Sequence, residues 1–322
     1  MRRLVLAVLA VMACTAAGAS LAWREVQHRY TEPGPLASDI AVVVPHGTRA
    51  DVARALLAAG VIDDEPSFRL AATFTNIAGP IRAAELLFPA HASLRDVLAT
   101  LRSARPVQHR FTLPEGLTSF QIAALFDRED SLSGDTPIPG EAELLPDTYS
   151  FERGTPRQAV ADRAAAAMRR SLERIWAERA PGLPLQSPQD LVTLASIVER
   201  ETARPDERPH VAAVFYNRLA RNMRLQSDPT VIYAATGGSL TGGHTLTRTE
   251  LDAENPYNTY RTRGLPPGPI ATPGAATLLA AAHPAVSDDL YFVASPTGGH
   301  AFARTLEEHN RNVAHWLAAP AR

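Results

Sequence analysis

Lysine is absent from the 322 residues, cysteine occurs once, and aromatic residues make up only 6%. All 32 basic residues are therefore arginines; set against 34 acidic ones they leave a net charge of -2, with no basic field for a nucleic-acid backbone. Cys14 alone cannot close an internal disulfide, and no grouping of Cys and His has the number and spacing of a structural metal site. No cofactor motif stands out. What is present is 45% hydrophobic residues, enough for one large or two modest cores, with 26 prolines and 19 glycines marking many turns.

Behind Arg2 and Arg3 lies an uncharged run from Leu4 to Trp23. As a helix, twenty such residues would extend about 30 Å, the apolar thickness of a bilayer. The leading arginines predict a cytoplasmic tip and a C-terminal portion outside. Residues 1–23 are thus expected to be tip and transmembrane anchor, and 24–38 a polar stalk containing Pro33, Gly34 and Pro35. A cleaved signal peptide is the competing reading, because small residues crowd Ala16 to Ala19.

One phrase then recurs three times: VVVPHGTRADVARALL from Val42, LLFPAHASLRDVLATL from Leu86 and FTLPEGLTSFQIAALF from Phe111. Each joins an apolar strand to Pro, a turn, a hydroxyl residue (Thr48, Ser93, Thr118) suited to N-capping, and a helix. Units this short need partners to cover their apolar faces and are expected to pack together. A polar loop follows at Ser131 to Pro156, and then a long helix over 157–180.

Ser187 and Pro188 begin the next helix, in which Leu191, Leu194, Ala195, Val198 and Thr202 recur on one side. At about 100° per residue, Glu199 and Glu201 fall on opposite flanks of that stripe. A carboxyl at such a rim can have its pKa raised by desolvation, which prepares it to donate a proton near neutrality. A second helix is expected from about Glu207 to Asn222, followed by turns, a short helix at Ala275 to Ala282, a strand at LYFVAS and a closing helix. Uncharged hydrogen-bonding residues gather after the two central helices: Gln226, Ser227, Asn258, Thr259, Tyr260 and His300. Such a set suits hydroxyl-rich and acetamido-bearing sugars, although each residue also has a structural reading. Gln226 and Ser227 could cap a turn, and Asp228 before Pro229 could be an ordinary Asx turn.

Five spaced motifs, ASIVERET (195–202), ERPHVAAVFYNRLARNMRLQSDPTVIYA (207–234), NPYNTY (255–260), GLPPGPIATPG (264–274) and GGHAF (298–302), resemble the MltG/YceG-like endolytic murein transglycosylases, as do VPHGT, LPEG and LLPDTY upstream. The resemblance implies an α+β protein with a single N-terminal transmembrane helix. It further implies a small LysM-like strand-helix region over 39–106 and a larger lysozyme-like transglycosylase domain over 107–322. It implies a bacterial inner-membrane location with a periplasmic C-terminal domain, and peptidoglycan strands, the inner membrane and cell-wall synthases as partners. The implied activity is cleavage of the MurNAc-β-1,4-GlcNAc bond within nascent strands, leaving 1,6-anhydro ends, with one Glu as acid and then base and no cofactor or metal. Glu201, followed by Thr202, resembles the Glu-Ser/Thr step of lysozyme-like transglycosylases, with Glu199 as rival; Gln226, Ser227, Asp228, Asn258, Tyr260 and His300 are the implied sugar-binding residues. AAELLFPAHAS at 83–93 departs from the usual Gly-Tyr and Pro-Gly pattern of the family. The alternatives are a peptidoglycan-binding scaffold without turnover and a hydrolytic muramidase.

Overall fold

The computed structural model describes residues 2–239 and 243–319; the side chains of residues 2–11, 13 and 22 lie outside the description. The chain divides into two compact units, residues 1–109 and 110–322.

In the first unit, helix α1 (Arg2–Thr31) precedes strand β1 (Ile40–Val43), helices α2 (Arg49–Ala58) and α3 (Glu65–Phe74), strand β2 (Glu85–Phe88) and helix α4 (Leu94–Ser103). β1 and β2 pair antiparallel, with Ile40 opposite Phe88 and Val43 opposite Glu85. Helices α2 and α4 start as the sequence predicts. Thr48 and Ser93 each accept the backbone N–H three residues on, while Asp51 and Asp96 reach back to the cap. Sequence reasoning passed over α3, which is capped by Asp64 accepting from the Ser67 N–H at 2.7 Å. Phe68, Phe88, Leu56, Leu86, Leu98 and Leu101 close the core beneath the hairpin.

The expected anchor over Leu4 to Trp23 requires correction, and with it the single-pass inner-membrane placement. Among the described residues, no helix is long and apolar enough to cross a membrane. Part of the run, from Leu4 to Val11 together with Ala13 and Ala22, has side chains outside the description. The sequence bears on the second half of the run: from Ala13 to Ala22 nearly every residue is Ala, Gly, Ser, Thr or Cys, so that stretch is uncharged without carrying much apolar surface. Nor does the helix stop at Trp23. It continues through Arg24, Glu25 and Arg29, where a stalk was expected, with Arg29 bonded to Glu25 at 2.9 Å.

The second unit begins at strand β3 (Gln108–Thr112), which forms a two-stranded sheet with β4 (Thr148–Glu152). The third strand-helix phrase thus belongs to this second unit, whereas the first two belong to the first. Its helix α5 (Ser119–Asp127) is capped by Thr118, and Phe111, Ile122, Phe126 and Phe151 form a small core with the start of α6 (Arg157–Ala177). Next come α7 (Pro188–Glu201), α8 (Arg208–Ala220), α9 (Asp228–Thr236), α10 (Arg248–Asp252) and α11 (Ala275–Ala282). The hairpin of β5 (Tyr291–Ala294) and β6 (His300–Ala303), with Phe292 opposite Phe302, leads to α12 (Leu306–Leu317).

Helix α7 is the axis of this unit. Ser187 and Asp190 form a capping box at its start, with Pro188 in the first turn, as the sequence indicates. The predicted one-sided stripe is instead burial on every face: all residues from Leu191 to Val198 are buried, against α6, α8, α9 and α11. Ser196 survives there because it is bonded. The Ser196 hydroxyl donates to the Thr193 carbonyl at 2.7 Å and accepts from the Ile270 N–H at 3.0 Å. Beyond this buried stretch the last turn, Glu199-Arg200-Glu201, comes to its edge.

Candidate active site

That last turn splits the two rival carboxylates. Glu199 is held by three donors: the Arg208 guanidinium at 3.2 Å, the Gly274 N–H at 3.0 Å and the Thr277 hydroxyl at 2.5 Å. Its side chain is 6% exposed and that of Arg208 10%, so this is a buried ion pair joining α7, α8 and the start of α11. Arg208 also meets Glu115 at 3.2 Å.

Glu201 has a different environment. Its Oε1 accepts a short hydrogen bond from the Ser227 hydroxyl. The residue keeps some surface, yet protein crowds the carboxyl closely enough that loss of hydration dominates its ionisation. Desolvation pushes its pKa up to about 7; the Asp228 charge adds to the rise, while the Ser227 bond and the Arg218 charge oppose it. A position at the C-terminus of α7, where carbonyl dipoles point outward, also disfavours an anion. Glu201 is thus a carboxyl able to hold its proton near neutral pH and to release it without large rearrangement.

Ser227 is fixed from beneath. It is buried, its N–H donates to the Thr259 hydroxyl at 3.0 Å, and its carbonyl accepts from Thr230 at 2.6 Å. Thr230 and Thr259 share a further bond at 2.8 Å, and neither has exposed surface. Asp228 opens α9 rather than an isolated turn, a helix missing from the sequence reading. It is exposed, and its Oδ1 accepts from the Tyr260 hydroxyl at 2.6 Å. Desolvation, with Asp228 close by, raises the Tyr260 phenol and keeps it a donor. Gln226 is exposed on a left-handed backbone (φ 52°), a conformation that costs a non-glycine residue about 1 kcal/mol or more. Its N–H donates to the Thr259 carbonyl at 3.2 Å. Gln226, Ser227, Asp228 and Tyr260 therefore surround Glu201 as one connected group.

Two further predicted sugar contacts, Asn258 and His300, make internal hydrogen bonds. Asn258 has no exposed surface: its amide donates to the carbonyls of Glu250, Leu251 and Ala253 at 3.1, 3.1 and 2.8 Å, and its Oδ1 accepts from the Tyr260 N–H at 3.0 Å. It shapes the loop that presents Tyr260. His300 bonds Glu207 through Nδ1 at 2.7 Å and through its backbone N–H at 2.9 Å. Glu207 also accepts from the Thr202 hydroxyl at 3.1 Å, so His300 braces the residue that follows Glu201. Burial would raise the Glu207 carboxyl, but these hydrogen bonds outweigh it and hold the group below its ordinary range.

Sequence reasoning did not find the role of Arg218. Its buried guanidinium donates to the carbonyls of Leu290 at 2.6 Å and Leu225 at 2.7 Å, and it lies 5.3 Å from the Tyr291 ring centre. Nothing local in the sequence separates such an internal cation from a surface one.

The YceG-like family model matches residues 42–315. The endolytic murein transglycosylase of Bacillus subtilis (strain 168) is 38% identical over 176 residues, covering 54% of this chain and 47% of that protein. The endolytic murein transglycosylase of Streptococcus pneumoniae serotype 2 is 29% identical over 324 residues, 85% of this chain and 58% of that protein. The chain thus spans about half the length of these relatives. A solved yceG-like protein from Listeria monocytogenes is 27% identical, with a TM-score of 0.52, covering 85% of this chain and 98% of that one.

Proposed function

The chain belongs to the YceG-like family, and on that premise we propose that it is an endolytic peptidoglycan transglycosylase in which Glu201 moves the proton. The bond cut is MurNAc-β-1,4-GlcNAc within a glycan strand. Protonated Glu201 donates to the bridging oxygen as the glycosidic bond breaks, and the muramoyl acetamido oxygen stabilises the developing oxocarbenium ion. The Glu201 carboxylate left behind then takes the proton of the C6 hydroxyl as O6 closes onto C1. The strand ends as 1,6-anhydromuramic acid, Glu201 regains its proton, and no water is consumed.

The observation that carries this reading is the desolvated Glu201 carboxyl with a pKa of about 7, bonded to a Ser227 that is itself immobilised. An acid that must later serve as base works best when its pKa lies near the working pH. Glu199, by contrast, has both oxygens occupied by protein donors and is assigned to holding α7, α8 and α11 together. Gln226, Ser227, Asp228 and Tyr260 are assigned to the sugar-binding wall, while Asn258 and His300 position it.

A muramidase reading rests on Asp228. Its charge is felt at Glu201, and it is exposed enough to activate a water. Polymeric glycan incubated with wild type and with Glu201→Gln tests the assignment. Turnover should fall by about 10² or more. A Glu201→Gln enzyme that cuts normally, beside an inactive but folded Glu199→Gln enzyme, would reverse the assignment within the pair.

A further inference from the structure

A cavity of about 460 Å³ is lined by Arg200 and Pro229, the chain neighbours of Glu201 and Asp228, together with residues including Thr118, Gln121, Tyr233 and Ile270. Arg200 is its one arginine, and no carboxylate is among the lining residues. Glu199 and Glu201, the acids flanking Arg200 in the chain, are taken: the first by Arg208, Gly274 and Thr277, the second by Ser227. Arg200 itself is exposed, and its Nη1 donates to the Gly116 carbonyl at 3.1 Å. That carbonyl belongs to a backbone held in place by the Gly116 N–H bond to Thr272 at 2.8 Å. Among the described residues the guanidinium has no acidic partner within 4.0 Å. Arg208 and Arg218, the other arginines of this region, are buried and already bonded to protein acceptors.

An arginine anchored at one nitrogen, open at the rest and facing a polar cavity is arranged for a planar anion, which its fork can grip through two parallel bonds. We infer that Arg200 and this cavity bind a carboxylate of the peptide stem carried by the muramoyl residue whose glycosidic bond Glu201 cleaves. This rests on the transglycosylase reading. Muramic acid carries its peptide through the lactyl ether at C3, while the scissile bond leaves C1 of the same ring. The lactyl carboxyl is spent in the amide to the first amino acid, so the stem's free carboxylates begin beyond it, and the anion-binding group must lie a short reach away from the proton donor on the C3 side of the ring. Consecutive residues at a helix end have Cα atoms about 3.8 Å apart and side chains diverging by about 100°, so the long Arg200 side chain leads away from Glu201 as such a reach requires.

The probe is a soluble muramoyl tetrapeptide with free carboxylates, compared with the same molecule after those carboxylates have been converted to amides, each titrated into the full chain by NMR. Wild type should prefer the carboxylate form by about tenfold. In Arg200→Ala the preference should collapse towards unity. Arg200→Lys should keep part of it, having the charge without the fork. Equal binding of the two probes by wild type, or a full preference surviving in Arg200→Ala, overturns the inference. Cleavage of polymeric strands is scored separately. If wild type fails to cut them, the transglycosylase reading falls, while the binding comparison still decides the role of Arg200.

Discussion

Replacing Glu201 with Gln should stabilise the protein above neutral pH while removing its activity. The carboxyl ionises at about 7 in the folded chain against an ordinary 4.5. A raised acid pKa means that the folded state holds the proton more tightly than the unfolded chain does. Relative stability is therefore greatest below 4.5 and declines as pH rises towards 7, beyond which the full penalty applies. At about 1.4 kcal/mol per tenfold change in proton affinity, the penalty is on the order of 3 kcal/mol. Gln keeps an oxygen to accept from Ser227 and carries no charge, so it escapes the penalty. Urea unfolding of wild type and Glu201→Gln at pH 5 and pH 8.5 measures the effect. The variant should gain about 3 kcal/mol over wild type at the higher pH relative to the lower; for a unit of this size that is an increase of roughly 6–12 °C in Tm. A difference that does not change between the two pH values would refute the claim that burial sets the protonation of Glu201.

Other substitutions probe the supports of the site. Ser227→Ala removes a bond that favours the ionised form of Glu201, so the alkaline limb of the rate profile, expected near 7 in wild type, should move to higher pH. Glu199→Gln breaks a buried ion pair with Arg208 and should destabilise the second unit by about 3–5 kcal/mol, read by denaturant titration. His91 lies on a left-handed backbone (φ 55°) with its side chain exposed, two residues after Pro89, where Gly116 (φ 75°) stands after Pro114. His91→Gly should therefore stabilise the first unit by about 0.5–1 kcal/mol, after allowing for the greater freedom of Gly in the unfolded chain. Unchanged or lower stability would remove strain as the account of that turn.

Local chemistry made much of this architecture readable. Thr48, Ser93, Thr118 and Ser187 cap helices where their hydroxyls precede amphipathic runs, and Ala275 to Ala282 is the helix that its composition indicates. Periodicity reports faces, not depth, so α7 read as a half-buried helix when it is enclosed along most of its length. Partners distant in sequence were equally out of reach. Arg208 finds Glu115 across 93 positions and His300 finds Glu207 across the same span, internal contacts that no local pattern announces. Asn258 shows the same limit: an amide suited to an acetamido group is equally suited to the three backbone carbonyls that it meets. In the second half of the N-terminal run small residues dominate, so the absence of charge there brings little apolar surface.

The central claim is that, once the glycosidic bond has broken, the substrate's own C6 hydroxyl, deprotonated by Glu201, closes onto C1 in place of water. Digestion of polymeric peptidoglycan strands in ¹⁸O-labelled water, followed by mass spectrometry of the new muramoyl ends, tests it directly. The account predicts 1,6-anhydro ends free of the label in wild type and their loss in Glu201→Gln. Reducing muramoyl ends carrying one labelled oxygen would contradict it and place Asp228 and a water at the reacting carbon.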